Sequence, residues 1–221
     1  MPGPLTHAAL KSKQRTLRSG FPETMGLRVH RSISWIGRAE ASVGDGDACF
    51  LFLWIAFNAA YADESQFQGI TSGERATFAD FFEKLVALDS DRRIYKAIWQ
   101  SFSGPIRMLM QNKFVFSPFW QHHNGIEGFD DWEERSKAAA RSFSQSLQAQ
   151  DTARILSFVF DRLYVLRNQL VHGGSTWNTA VNRNQVRDGA AIMGFLMPVF
   201  IDIMMDNPRE SWGRPFYPVV K

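Results

Sequence analysis

The sequence predicts an all-α protein, a helical bundle with extra helices and loops, and three observations carry that prediction. Apolar residues recur at spacings of three and four along several segments, the mark of helices with one buried face. No segment alternates polar and apolar residues as a half-buried strand does, and no Asn-Gly hairpin turn stands out. Material for a core is ample: of 221 residues, 45% are hydrophobic and 14% aromatic, which excludes a disordered chain. At this length one elaborated domain is expected rather than two full ones.

Taken in order, residues 1–27 read as a basic arm. Pro2, Gly3, Pro4, Gly20 and Pro22 punctuate it and apolar residues are few, so it is expected to be mobile. Ile33, Trp35, Ile36 and Ala39 predict a first helix ending near Gly44. Residues 47–61 are apolar almost all round and should form the buried central helix. Phe78, Phe81, Phe82, Leu85 and Leu88 mark a further amphipathic face, as do Ile94, Ala97, Ile98 and Phe102 before Gly104-Pro105 breaks the pattern. Residues 114–131 have no clear period and hold Pro118, Gly125 and Gly128, which predicts a loop or lid. Residues 132–148 are polar, a surface helix. The stretch 104–148 therefore looks like an insertion within one domain spanning 28–205. Residues 151–172 give the longest clean helix, expected to pack beside the central one, and 185–205 another. The tail, 206–221, sets Pro208, Pro215 and Pro218 around Trp212, Phe216 and Tyr217, and should run extended against the bundle or a partner.

Charge narrows the function. With 25 basic and 22 acidic residues the net charge is only +3, which excludes a polycation coating nucleic acid nonspecifically. The basic excess is concentrated: residues 1–40 hold seven basic and two acidic side chains. A single cysteine, Cys49, excludes an intrachain disulfide and a cysteine-based zinc site, and its apolar surroundings make it a small buried hydrophobe. No uninterrupted apolar run reaches membrane-spanning length; the best, 48–60, is short, contains Asn58 and follows Asp45 and Asp47. Those acids are also the wrong flank for a signal peptide. A soluble cytoplasmic protein without a membrane partner is expected.

The chemistry concentrates at the end of the long helix, where Arg167-Asn168-Gln-Leu-Val-His172 precedes Gly173-Gly174. At about 100° per residue, Leu156, Val159, Phe160, Leu163, Leu166 and Leu170 share the apolar face. Asp161, Tyr164, Asn168 and His172 cluster on a polar flank, and the two glycines stop the helix and admit a close backbone. Arg167 is out of place, because it falls inside the apolar stripe. A guanidinium stays charged and is costly to bury alone. Either the stripe opens there onto a cleft or subunit interface, or Arg167 has a carboxylate partner.

This stretch resembles the Arg-x(4–6)-His motif of the HEPN superfamily (higher eukaryotes and prokaryotes nucleotide-binding domains), in which Asn directly after the Arg is a frequent variant. The resemblance spans about 47–205 and includes the run through Trp177, Asn182-Arg183-Asn184-Gln185 and Asp188-Gly189. It implies a metal-independent endoribonuclease, a homodimer that brings two motifs to one cleft, used as a toxin or phage-defence effector. Arg167, Asn168 and His172 are then the catalytic residues, supported by Asp161, Tyr164, Gly173 and Gly174. RNA is the substrate and no cofactor or metal is called for. No nucleotidyltransferase is fused, so an antitoxin or regulator would be a separate chain. Some members of the family do not cleave RNA, which leaves a noncatalytic module binding a nucleotide, RNA or a protein partner as the alternative.

Other residues carry less. His122-His123 could chelate, but no third ligand sits at metal spacing and a polar loop is the plainer reading. Trp99, Phe102, Phe119, Trp120, Phe129 and Trp132 could stack bases, yet aromatics this dense read first as core. Met193, Met197, Met204 and Met205 read as gap-filling packing or a dimer face. No Gly-rich phosphate loop, Ser-His-Asp order or paired-carboxylate motif is present.

Overall fold

The computed structural model describes residues 5–62, 74–180, 182–215 and 217–219. Ten α-helices and no strand occur among the described residues, so the fold is an all-α helical bundle. The helices are α1 (His7–Leu17), α2 (Glu23–Glu40), α3 (Gly46–Tyr61), α4 (Glu74–Leu88), α5 (Arg93–Lys96), α6 (Ser103–Gln111), α7 (Ser117–His123), α8 (Trp132–Gln148), α9 (Thr152–Val171) and α10 (Arg183–Asp206).

The centre is aromatic. Phe57 of α3 is fully buried, with ring centroids of Tyr61 at 4.3 Å, Phe160 at 4.5 Å, Phe78 at 5.4 Å and Phe82 at 6.0 Å. One ring thus joins α3, α4 and α9. Helix α3 packs along α2 and α10, while α9 meets α3 through Trp54, Phe57 and Phe160 and runs more extensively along α4. Gly189 of α10 sets a close approach: a Cβ there would meet Leu163 at 3.0 Å and Phe50 at 3.1 Å.

Several sequence expectations are corrected. From His7 to Leu17 the N-terminal arm is a helix packed on the bundle. Thr6 caps α1 by accepting from the Ala9 N–H at 3.3 Å, Leu10 and Gln14 are buried, and Lys13 reaches Asp202 of α10 at 2.6 Å. Composition hid a helix whose short apolar face and one cation find partners far along the chain. The next helix accordingly starts at Glu23, earlier than expected, and stops at Glu40 rather than near Gly44. Residues 114–131 are not a plain loop: Lys113–Val115 form a 3₁₀ turn and α7 follows. Pro118 lies in the first turn of α7, where its missing N–H has no intrahelical partner to lose. Gly125 and Gly128, at φ 72° and 83°, come after that helix and turn the chain back.

Helix α10 is the one helix among the described residues long and apolar enough to cross a membrane, and 78% of its apolar window is buried inside the protein. Asp202 interrupts the run of apolar residues, and it is buried with Arg93 at 2.6 Å and Lys13 at 2.6 Å. The tail packs on the bundle through Trp212, whose indole N–H donates to the Asn207 carbonyl at 2.9 Å. Fully buried Arg28 donates to the Gly213 carbonyl at 3.2 Å and to the Ala60 carbonyl at 3.0 Å, so it ties the tail to the C-terminal end of α3.

Because Phe57 is shared by three helices, Phe57→Ala should lower unfolding stability by about 3–5 kcal/mol, the range for emptying an aromatic site in a packed core. Urea denaturation checks this, and a loss below about 1 kcal/mol would show that the ring is not central.

Candidate functional site

Helix α9 delivers the Arg–His segment to the surface. Asp151 starts the helix by accepting from the Arg154 N–H at 3.0 Å, and burial is continuous through Leu163 and Leu166. It ends at His172, whose N–H donates to the Asn168 carbonyl at 2.9 Å, and Gly173 takes the left-handed conformation at φ 72° that closes a helix. His172 is exposed, while Arg167, Asn168, Tyr164 and Asp161 are half-buried.

Arg167 donates from Nη1 to Asn168 Oδ1 at 2.8 Å, and its guanidinium carbon lies 5.8 Å from the Tyr164 ring centroid. Among the described residues no carboxylate pairs with it. The buried arginine of this helix is instead Arg162, which the helical wheel did not single out; its guanidinium carbon lies 4.2 Å from the Phe116 ring centroid.

Tyr164, Asn168, His172 and Gly174 line a groove of about 280 Å³ whose other wall is α7, with Trp120, Gln121 and Asn124. Arg167 and Asp161 do not line it, and within one chain no contact joins Arg167 to His172 among the described residues. Beside this groove, and sharing Trp120, Gln169 and Gly174 with it, lies a pocket of about 520 Å³ completed by Phe114, Asn182 and Gln185.

Gln169 was not singled out from the sequence, yet it fastens the walls. Its amide donates to the Phe114 carbonyl at 2.5 Å and accepts from Asn182 Nδ2 at 2.8 Å. The Trp120 indole N–H donates to the same Phe114 carbonyl at 2.7 Å. The available signals were its place inside the Arg–His segment and the amide-rich run at 182–185, neither of which says what an amide will touch.

The chain after His172 is pinned to the N-terminal end of α3. Asp47, buried, accepts from the Asn178 N–H at 2.9 Å and from Arg183 Nη2 at 3.0 Å. Asp45 caps α3 through the Ala48 N–H at 3.0 Å and accepts from the Trp177 indole N–H at 3.0 Å. The Ala48 N–H foremost, then the Trp177 N–H, hold the Asp45 carboxyl below its ordinary 3.8. Cys49 next to it is half-buried, and burial first, then the Asp45 charge, pushes its thiol above the ordinary 9.0, which makes it a poor nucleophile.

His122 and His123, read from the sequence as part of a polar loop, are the last two residues of α7. His122 Nδ1 lies 3.3 Å from Asp130, and His123 stacks on Phe119 at 5.9 Å. No group of three or more His, Cys, Asp or Glu side chains is placed to hold a metal among the described residues. Phe119, Trp120 and Trp132 form a half-buried cluster that is not part of the central core. Comparison with known protein families, with characterised proteins and with solved structures finds no match to this chain.

A carboxyl held below its unfolded value stabilises the fold above that value and loses the contribution as pH falls through the folded one. The melting-temperature gap between the wild type and Asp45→Asn should therefore be constant above about pH 5 and close below pH 3.8. A gap that persists unchanged to pH 3 would refute the assignment.

Proposed function

We propose that the protein is a metal-independent endoribonuclease of HEPN type, acting in the cytoplasm as a toxin or phage-defence effector. The observation that supports this reading best is the arrangement at the end of α9. An exposed imidazole lines a groove walled by polar and aromatic groups, and on the same helix end an arginine outside that lining has a neutral amide as its described partner.

In this reading the substrate supplies its own nucleophile. A proton leaves the ribose 2′-OH for His172, the 2′ oxygen bonds to the adjacent phosphorus, and the bond to the 5′ oxygen breaks. The departing oxygen takes a proton, leaving a 2′,3′-cyclic phosphate and a 5′-OH. Imidazole titrates in the range such transfers need. Arg167 offers its fork to the phosphate oxygens as charge builds on them, and Asn168 fixes the fork by accepting one of its N–H groups. One chain provides one histidine for two proton transfers. A homodimer with both motifs at one cleft provides the second, and also gives half-buried Arg167 a polar destination.

The second reading is a noncatalytic HEPN module binding RNA, a nucleotide or a protein partner. It is favoured by the separation of Arg167 from His172 within the chain.

Cleavage of total RNA by the purified protein should survive EDTA, require 2′-OH groups and leave 2′,3′-cyclic ends. His172→Ala should slow it by roughly 10²–10⁴-fold, the range for loss of a general acid or base. Arg167→Lys should also damage it, because an ammonium cannot reproduce the fork. Absence of cleavage in any buffer, with RNA affinity indifferent to His172→Ala, would instead select the noncatalytic module. Light scattering that shows a monomer with and without RNA would remove the two-histidine mechanism.

A further inference from the structure

We infer that the 520 Å³ pocket beside the Arg–His groove is a subsite for one unstacked base of single-stranded RNA. The inference rests on the ribonuclease reading for its choice of RNA, but its own evidence is the make-up of the pocket.

The volume lies within the range of about 300–1,000 Å³ usual for small-molecule sites. Its walls divide into structural and unspent groups. Gln169 has both ends of its amide committed, to Phe114 and Asn182, and the Trp120 N–H is committed to Phe114. These bonds fix the pocket's shape before any ligand arrives. Phe114 and Trp120 then present ring surface: Phe114 is 44% exposed, and the two centroids are 6.3 Å apart, tilted by 45°. Lys113 lies 5.3 Å from the Phe114 ring centroid, so positive charge stands beside that one lining residue. Gln185, which also lines the pocket, is half-buried, and its side chain makes no hydrogen bond among the described residues. An amide carries both donors and an acceptor, which is what reading the edge of a base needs. Aromatic faces accept any base, and the amide adds preference.

The pocket shares Trp120, Gln169 and Gly174 with the groove that holds Asn168 and His172. A base seated in it would leave its own sugar and phosphate at the groove. The pocket thus selects which phosphodiester meets His172.

The test uses a heptaribonucleotide carrying one 2-aminopurine, whose fluorescence falls when it stacks on an aromatic ring. The wild type should quench it. Trp120→Leu should weaken binding roughly 5- to 150-fold, the range for one base–aromatic stack, and Gln185→Leu roughly 2- to 10-fold. Melting curves confirm that each variant is folded, and Gln185→Leu keeps side-chain volume at a position bonded to nothing else described. Where the protein cleaves, sequencing the ends from a randomised RNA should show a base preference beside the cut that Gln185→Leu flattens while cleavage continues. Absence of quenching, with affinity unchanged in both variants, overturns the subsite even if RNA is cleaved. Quenching without cleavage keeps the subsite and defeats the ribonuclease reading. Adenosine 5′-monophosphate binding as tightly as the heptamer would overturn the strand assignment in favour of a free nucleotide.

Discussion

Asp47 accepts from the backbone N–H of Asn178 and from the guanidinium of Arg183, and through those two bonds it fixes where α9 ends relative to where α10 begins. The intervening chain carries two left-handed non-glycine residues, Asn178 at φ 53° and Asn182 at φ 60°, a conformation that asparagine adopts more readily than most side chains. Burial strengthens the constraint, since a carboxylate removed from water must keep its partners. With this turn held, Asn182 reaches Gln169, Gln169 reaches Phe114, and the 3₁₀ turn and α7 are drawn against the end of α9. The groove and the pocket are consequences of that sequence of bonds. Gly189 makes the same demand from the other side, because only a residue without a side chain lets α10 lie this close to Leu163 and Phe50.

A second constraint works at the opposite end. Asp202 places a carboxylate inside a long, mostly buried apolar helix, and Lys13 and Arg93 answer it from elements far apart in the chain. Breaking such a buried set by removing one partner is strongly unfavourable, whereas an apolar replacement of the whole set can be neutral. Its clearest structural effect is register: α10 cannot slide or rotate without stranding Asp202. That is also why α1, with its short apolar face, has a fixed place.

Much of this was legible in the sequence, and the failures share one cause. Periodicity gave the long helices because their apolar faces are repeated many times, as from Phe78 to Leu88. It failed where one or two long-range contacts decide the structure: Lys13 to Asp202 for the N-terminal helix, Gln169 to Phe114 for the segment before α7. Pro118 and the glycines near it were read as breakers, yet proline is tolerated in a first helical turn, so the same letters permitted a helix. For the candidate site, helical spacing placed Tyr164, Asn168 and His172 on one flank, and all three line the groove. It also placed Arg167 in the apolar stripe, where burial in fact ends. A wheel assumes equal packing along the helix, but α9 is covered through Leu166 and opens beyond it, while Arg162, on a face that the wheel did not assign, is covered by Phe116.

The partners of the arginines show why the open end of α9 suits an anion. A guanidinium keeps its charge at any physiological pH, so its field in a site depends on what stands beside it. Arg183 spends its charge on Asp47 and Arg93 on Asp202, and each pair is close to neutral from a distance. Arg167 donates instead to the neutral Asn168 oxygen. That bond orients the fork without cancelling the charge, and it leaves the remaining N–H groups to bond another acceptor. Partial burial lowers the local dielectric and strengthens whatever that charge attracts. A carboxylate at position 168 would have held the arginine just as well and neutralised it. Asn168 therefore orients the Arg167 fork without adding a negative charge beside it.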